Sequence, residues 1–114
     1  MNLKIEKILH FWFVETTAEQ KFKKDLKFDQ VIKEKFLNDY ELASQNKLDD
    51  WQGTGRGCLA LIILLDQFSR NLFRESGKAF EQDGKARSVL LKIIANNFLD
   101  AMNESERLFA LLPL

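Results

Sequence analysis

The chain has 114 residues, 46% of them hydrophobic, and its 17 basic side chains are balanced by 17 acidic ones. This length predicts that residues 1–114 form one domain with a core large enough to fold alone, and the composition excludes a disordered chain. The zero net charge argues against a nucleic-acid partner, because nucleic-acid-binding domains normally carry a basic excess.

The sequence shows no targeting or membrane segment. No signal-peptide core follows the N-terminal lysines, and the longest apolar run, from Cys58 to Leu65, is well short of the ~20 residues that a bilayer requires. The single cysteine, Cys58, excludes an intramolecular disulfide and fits a reducing compartment. We therefore expect a cytoplasmic protein without a membrane partner, in which Cys58 is a small core residue rather than a catalytic thiol.

The first third of the chain predicts helices. Proline occurs once, at Pro113, and β-branched residues are sparse, which favours helices throughout. Apolar residues at helical spacing predict a first helix over residues 3–13, and the polar residues 15–27 predict a loop or a short helix. A longer helix is predicted to begin at Asp29 as its N-cap, with Phe28 as the preceding staple residue.

The second half of the chain predicts three more helices. Glycines at alternate positions of residues 53–57 do not have the spacing of a phosphate-binding loop and predict a flexible turn. An aliphatic helix follows, from about residue 57 to residue 73, and another covers residues 82–101. Asn103, with Glu106 three residues later, has a capping-box pattern and predicts a last helix that ends at residue 112. The prediction is an all-α fold of about five helices stacked as antiparallel hairpins.

The last residues of the chain, 106–114, are mostly apolar. An apolar terminal helix needs another element to cover it, and none follows in this sequence. Two interpretations stay open: the helix docks fully on the others, or the chain lacks a C-terminal part of its domain.

The polar end of the aliphatic helix is a candidate site. Asp66 and Arg70 are four residues apart, as are Arg70 and Arg74, so each pair shares one helix face. Asp66 lies on the apolar stripe of this helix, so we expect it to be at least partly buried and to need Arg70 as a partner. The two residues form either an internal ion pair or, with Asn71 and Arg74, a cleft that binds an anion or a polar ligand.

Two residues outside this segment complete the ligand-binding candidates. Trp51 is predicted to line the groove of a binding module, and Trp51 and His10, with Trp12, are predicted to form walls of the cleft. Asp66 and His10 are the candidates for a general base if the protein is an enzyme. One histidine without a cysteine pair does not make a zinc site, and no nucleophile elbow is present. We therefore predict no catalytic residue, no metal and no cofactor.

Motifs along the whole chain resemble a known family. Five segments carry the resemblance and occur in this order: ILHFWF (8–13), FDQVIKEKF (28–36), LALIILLDQFSRNLFR (59–74), AFEQDGKA (79–86) and ERLFALLPL (106–114). Together they resemble the bacterial family named domain of unknown function 924. The resemblance implies an all-α fold similar to tetratricopeptide-repeat proteins, and no known activity. It also implies a proline at the position of Ser69 and further helices after the final LPL, so that this chain is truncated relative to the family.

Three functions stay open. The hairpin fold favours a scaffold module that binds a protein or a peptide in a groove. The alternative is a small-molecule-binding protein or a small enzyme with a polar cleft at Asp66 and Arg70. The third is a truncated form without a function of its own. If C-terminal helices are missing, we expect the apolar face they leave to be exposed or used in self-association.

Overall fold

The computed structural model describes residues 2–114, and 79% of the chain is helical. No strand occurs in these residues, so the all-α prediction is confirmed. They form six helices rather than five: α1 (Leu3–His10, continued by the π-helix Phe11–Glu15), α2 (Ala18–Phe22), α3 (Leu26–Ser44), α4 (Gly55–Ile62, continued by the π-helical Ile63–Phe68 and by Ser69–Leu72), α5 (Asp83–Ala95) and α6 (Glu104–Leu111). Short 3₁₀ segments lie in the connections: Asp49–Gly53, Gly77–Phe80 and Phe98–Ala101.

Helix α4 is the central element of the core. Every residue from Gly57 to Asp66 is buried, and α4 packs against α1, α3, α5 and α6. A helix that is apolar on all sides is shielded from water only if other elements surround it, and this explains why α4 lies at the centre of the fold. The helix continues through Ser69, whose hydroxyl donates to the carbonyl oxygens of Leu65 at 2.8 Å and Asp66 at 3.0 Å. No helix in residues 2–114 is both long enough and apolar enough to cross a bilayer.

The beginning of α3 differs from the prediction. Helix α3 begins at Leu26, and its N-cap is Asp25, whose carboxylate accepts a hydrogen bond of 3.0 Å from the amide of Phe28. The prediction of Asp29 as N-cap is therefore wrong. Asp25 and Asp29 stand one helical turn apart before the same apolar run, so either matches the local pattern of a cap. Asp29 instead lies in the first turn of α3, where it is buried.

The helix predicted over residues 82–101 is shorter in the structure. Helix α5 ends at Ala95, and the chain turns at Asn97, which has a φ of 56°. Asparagine enters this left-handed region more easily than most residues other than glycine. The capping box of α6 is confirmed: the side-chain Oδ1 of Asn103 accepts from the backbone amide of Glu106 at 2.8 Å, and the Glu106 carboxylate accepts from the backbone amide of Asn103 at 2.9 Å.

Gly57 permits a close contact at the start of α4. A Cβ atom at this position would lie 2.0 Å from the carbonyl oxygen of Trp51, far inside van der Waals distance. The absence of a side chain therefore lets α4 begin directly against the 3₁₀ segment Asp49–Gly53. Trp51 is buried in this contact, at the N-terminal end of α4.

Candidate functional site

The C-terminal half of α4 and the turn after it carry two groups of paired charges. We call them the Arg74 cluster (Asp29, Asn71 and Arg74) and the Arg70 cluster (Asp66, Arg70 and Asp83). The first joins α4 to α3, and the second joins α4 to the beginning of α5. Four of these residues, at positions 66, 70, 71 and 74, come from one short segment. The first three lie on α4, where spacings of four and five residues keep their side chains close together, and Arg74 follows the end of the helix.

The Arg74 cluster is a bidentate ion pair. Arg74 donates from Nε to Asp29 Oδ2 at 2.6 Å and from Nη2 to Asp29 Oδ1 at 2.8 Å. Asn71 Nδ2 adds a third hydrogen bond to Oδ1 at 2.9 Å. Asp29 is 9% exposed, so these donors replace most of the water that an isolated carboxylate would bind.

The pKa of Asp29 lies below its ordinary value. Burial alone raises this pKa, but the hydrogen bonds from Arg74 and Asn71 and the charges of Arg74 and Lys24 outweigh the effect of burial. The pKa of Arg74 is raised, chiefly by its hydrogen bond to Asp29. Both partners are therefore charged at neutral pH, and the pair is a fixed link between α3 and the turn that follows α4.

Arg70 distributes its donors over several acceptors. Its Nη2 reaches Asp66 Oδ1 at 3.4 Å, and its Nη1 donates to Asp83 Oδ1 at 3.0 Å and to the carbonyl oxygen of Ala79. The guanidinium also lies over the ring of Phe80, 4.5 Å from its centroid. Arg70 thereby holds the segment before α5 against the end of α4.

Asp66 has a weaker set of partners than Asp29. It is 6% exposed, and its shortest contact is a hydrogen bond of 2.8 Å from the side chain of Gln67. Burial raises the pKa of Asp66, the Gln67 hydrogen bond and the Arg70 charge lower it only in part, and the nearby charge of Asp83 raises it. The predicted contact between Asp66 and Arg70 is present, but Arg70 neutralises this carboxylate incompletely.

An open cleft of about 460 Å³ lies beside the two clusters. Its walls are formed by Arg70, Arg74, Glu75, Ser76, Gly77, Ala79 and Phe80. Asp66 is not among them, and both arginines direct donors toward carboxylates of the protein itself. A polar ligand in this cleft would have to compete with these internal acceptors.

The structure does not bring Trp51 and His10 to this cleft. Trp51 is buried beside Gly57, and about 20 Å of helix, at ~1.5 Å per residue, separates Gly57 from Arg70. The His10 side chain is 60% exposed on α1, where Nδ1 lies 2.9 Å from the carboxylate of Glu15. The prediction that these two residues and Trp12 form walls of the cleft needs correction, because none of the three lines it. The ligand-binding role of Asp66, Arg70, Asn71 and Arg74 stays a prediction.

Local sequence patterns do not reveal two carboxylates of the clusters, Asp29 and Asp83. Asp29 matches the pattern of an N-cap, and Asp83 has no helical spacing to Arg70 that would connect them. One signal could have identified Asp29. Asp25, four residues earlier, also fits the N-cap pattern, and a cap at Asp25 leaves Asp29 free for another role.

The described residues contain no group of three or more His, Cys, Asp and Glu side chains that could hold a metal ion. Cys58 is buried, as predicted, and burial raises the pKa of its thiol to about 11. The thiol is therefore protonated at neutral pH and a poor nucleophile.

Comparisons with known proteins identify the family and add no activity. A family model described as "Bacterial protein of unknown function (DUF924)" matches residues 8–114. A solved structure, of the protein of unknown function ATU0120 from Agrobacterium tumefaciens, is 32% identical to this chain and superposes with a TM-score of 0.91. The match covers 96% of this chain and 62% of that chain, and no curated protein matches. The chain belongs to the DUF924 family of bacterial proteins of unknown function.

Proposed function

We propose that the protein is a protein-binding module whose contact surface is an apolar face on α5 and α6. We call it the α5–α6 face and define it by five side chains that are 45% to 77% exposed: Leu91, Ile94, Leu108, Leu112 and Leu114. Single apolar residues on a surface need no explanation, but a contiguous patch is typical of an interaction site.

Helical spacing and one tertiary contact support the continuity of this face. Leu91 and Ile94 are one turn apart on α5, and Leu108 is one turn before Leu112 at the end of α6. Arg87, one turn before Leu91, donates a hydrogen bond of 3.3 Å to the carbonyl oxygen of Pro113. This contact holds the end of α6 beside the side of α5 that carries Leu91.

The two arginine clusters support a scaffold more than a pocket. Their donors are used to fix α3, α4 and the beginning of α5 to one another, which gives the module a rigid frame. The predicted similarity to tetratricopeptide-repeat proteins supports the same function by analogy alone. That similarity, the truncation and the cytoplasmic location stay predictions.

A small-molecule site in the cleft beside Arg70 is the second candidate. The observation in its favour is that the Arg70 side chain is 34% exposed and lies against Phe80, so a planar or anionic group could reach both. Its weakness is that Asp66, the predicted general base, does not line the cleft. The third prediction, a truncated form without its own function, applies if the α5–α6 face binds nothing.

The occupant we assign to the α5–α6 face is a second copy of this chain. Two copies carry no net charge and do not repel each other at long range. An apolar face is also complementary to itself, as a contact between identical surfaces in a symmetric dimer requires.

Sedimentation velocity over a range of protein concentrations tests this assignment. We expect concentration-dependent dimerisation that the double variant Ile94→Glu/Leu108→Glu abolishes. The matched control is Leu3→Glu, since Leu3 is 77% exposed on α1 and is not part of the face. A wild-type protein that stays monomeric at high concentration, or a control that dissociates equally, would contradict self-association through this face.

A further inference from the structure

A cage of aromatic rings lies under α2. Lys21, on α2, holds its Nζ atom 5.5 Å from the ring centroid of Trp12, and 5.7 Å from those of Phe13 and Phe109. The first two rings come from α1 and the third from α6. A cation within about 6 Å of an aromatic ring is attracted by the negative face of the ring.

Lys21 is a poor occupant for this cage. No carboxylate in residues 2–114 lies within 4.0 Å of its ammonium group, and burial lowers its pKa. A primary ammonium is strongly hydrated, so contact with rings replaces its water shell incompletely. The cage therefore holds a cation that burial disfavours.

The same cage contains an unused hydrogen-bond donor. Trp12 is 1% exposed, and its Nε1 is the one buried side-chain nitrogen or oxygen in residues 2–114 without a hydrogen-bond partner. Buried donors are normally paired because an unpaired one loses its bond to water without compensation. This N–H group belongs to the indole ring over which Lys21 lies.

Helix α2 covers the cage and has few ties to the rest of the fold. None of its residues is buried, and its capping box, Thr17 with Gln20, is internal to it. Phe22 stacks on Phe109 with a centroid distance of 6.1 Å but is 68% exposed. Displacement of α2 would therefore open the cage and leave the contacts of α4 in place.

We propose that Trp12, Phe13 and Phe109 form a binding site for a quaternary ammonium group, which Lys21 fills when no ligand is bound. A quaternary ammonium is weakly hydrated and loses less than a lysine when rings replace its water. The indole N–H of Trp12 supplies a donor for a hydroxyl or carbonyl oxygen carried by the ligand. Both a free choline-like molecule and a trimethyllysine side chain have this chemistry.

NMR of the two indole N–H groups tests the site, with choline as the probe. We expect the Trp12 signal to shift saturably, while the Trp51 signal, from the buried residue beside Gly57, stays in place. The neutral analogue 3,3-dimethylbutan-1-ol has the same shape without the charge and should bind more weakly. An unshifted Trp12 signal in both the wild type and Lys21→Ala, or equal binding of the neutral analogue, would overturn the proposal.

A pair of variants, one on α2 and one at its C-cap, separates competition by Lys21 from a general loosening of the helix. Lys21→Ala should tighten choline binding by about threefold or more, since it removes the competing cation. The control is Lys23→Ala, because Lys23, directly after the end of α2, pairs with Glu19 of that helix, whereas the cation over the three rings is Lys21. Equal effects of the two variants would contradict the assigned role of Lys21.

A cage variant and a second probe complete the test. Phe13 is only partly buried, so Phe13→Ala should keep the fold and weaken binding about two- to fivefold. If this variant does not fold, the comparison of Lys21→Ala with Lys23→Ala still decides. Tighter binding of a trimethyllysine peptide than of choline would identify a protein as the source of the cation, and the reverse a free small molecule.

Discussion

Arg70 lies in the last turn of α4 and Arg74 in the turn that follows the helix, and the two arginines pair with buried carboxylates in different ways. Arg74 meets Asp29 with two hydrogen bonds of 2.6 and 2.8 Å, whereas Arg70 reaches Asp66 through one contact of 3.4 Å and shares its other donors. The two carboxylates are similarly buried, 9% and 6% exposed, but the pKa of Asp29 is lowered and that of Asp66 is raised. Burial raises both pKa values, but the close donors of Asp29 outweigh it, whereas the partners of Asp66 do not.

The two carboxylates therefore contribute to stability in opposite pH ranges. The low pKa of Asp29 stabilises the fold above the unfolded-state pKa of about 3.9, and this contribution is lost as pH falls through the folded-state pKa. The raised pKa of Asp66 has the opposite sign. Its contribution is fully present below about pH 3.9 and is lost as pH rises through the folded-state pKa.

The largest effect is expected for Arg74→Met. This variant leaves the charge of Asp29 buried without its ion-pair partner, which typically costs about 3–5 kcal/mol. We expect the free energy of unfolding at pH 7, measured by urea denaturation, to fall by about this amount. The double variant Arg74→Met/Asp29→Asn is the control and should recover part of the loss. A loss below about 1 kcal/mol for the single variant would show that the Arg74 cluster does not contribute substantially to the stability of the fold.

A smaller loss is expected for Arg70→Met, about 1–2 kcal/mol at pH 7. Asp66 keeps its hydrogen bond from Gln67 and takes up a proton more readily than Asp29, so it tolerates the loss of the arginine better. The loss should shrink in urea experiments at pH 5. A loss equal to that of Arg74→Met at both pH values would show that the two clusters do not differ.

Asp66→Asn should change the free energy of unfolding at pH 7 by less than about 1 kcal/mol, since the amide keeps most of the shape without a buried charge. Its pH dependence is more informative. Relative to the wild type, the variant should gain stability as pH rises through the raised pKa of Asp66, because it no longer ionises a buried group. Urea denaturation at pH 4 and pH 8 measures this difference, and a relative loss at the higher pH would have the wrong sign.

The smallest effect is expected for Lys24→Ala. Lys24 pairs with Glu75 at 2.9 Å, but the two side chains are 54% and 76% exposed. Exposed pairs are screened by water and contribute little. We expect the urea midpoint of this variant to equal that of the wild type at physiological salt. A clear shift of the urea midpoint would mean that the exposed pair of Lys24 and Glu75 contributes measurably to the stability of the fold.

The sequence predicted what depends on local periodicity. Helix α4 and the capping box at Asn103 follow from residues within a few positions of each other, as does the contact between Asp66 and Arg70. The pairing of Asp29 with Arg74 does not, because local spacing cannot identify a partner 45 residues away. Asp29 also resembles a cap as closely as Asp25 does, and only the register of α3 in the fold decides between them.

The predicted walls of the cleft failed for a related reason. Trp51 and His10 have side chains suited to a binding site, but their place around α4 depends on the path of the chain between helices. The cage under α2 is another group of side chains whose proximity depends on the path of the chain. Trp12 and Phe13 are adjacent in sequence, whereas Phe109 reaches them only because α6 packs near the end of α1.

The most direct test of the contrast between the clusters is a ¹³C NMR titration of the side-chain carboxyl groups of Asp29 and Asp66 in the folded protein. We predict that Asp29 titrates below the ordinary aspartate pKa of about 3.9 and Asp66 above it. Coincident midpoints, or midpoints in the reverse order, would contradict the claim that the Arg74 cluster is a closed ion pair and the Arg70 cluster an incompletely neutralised one.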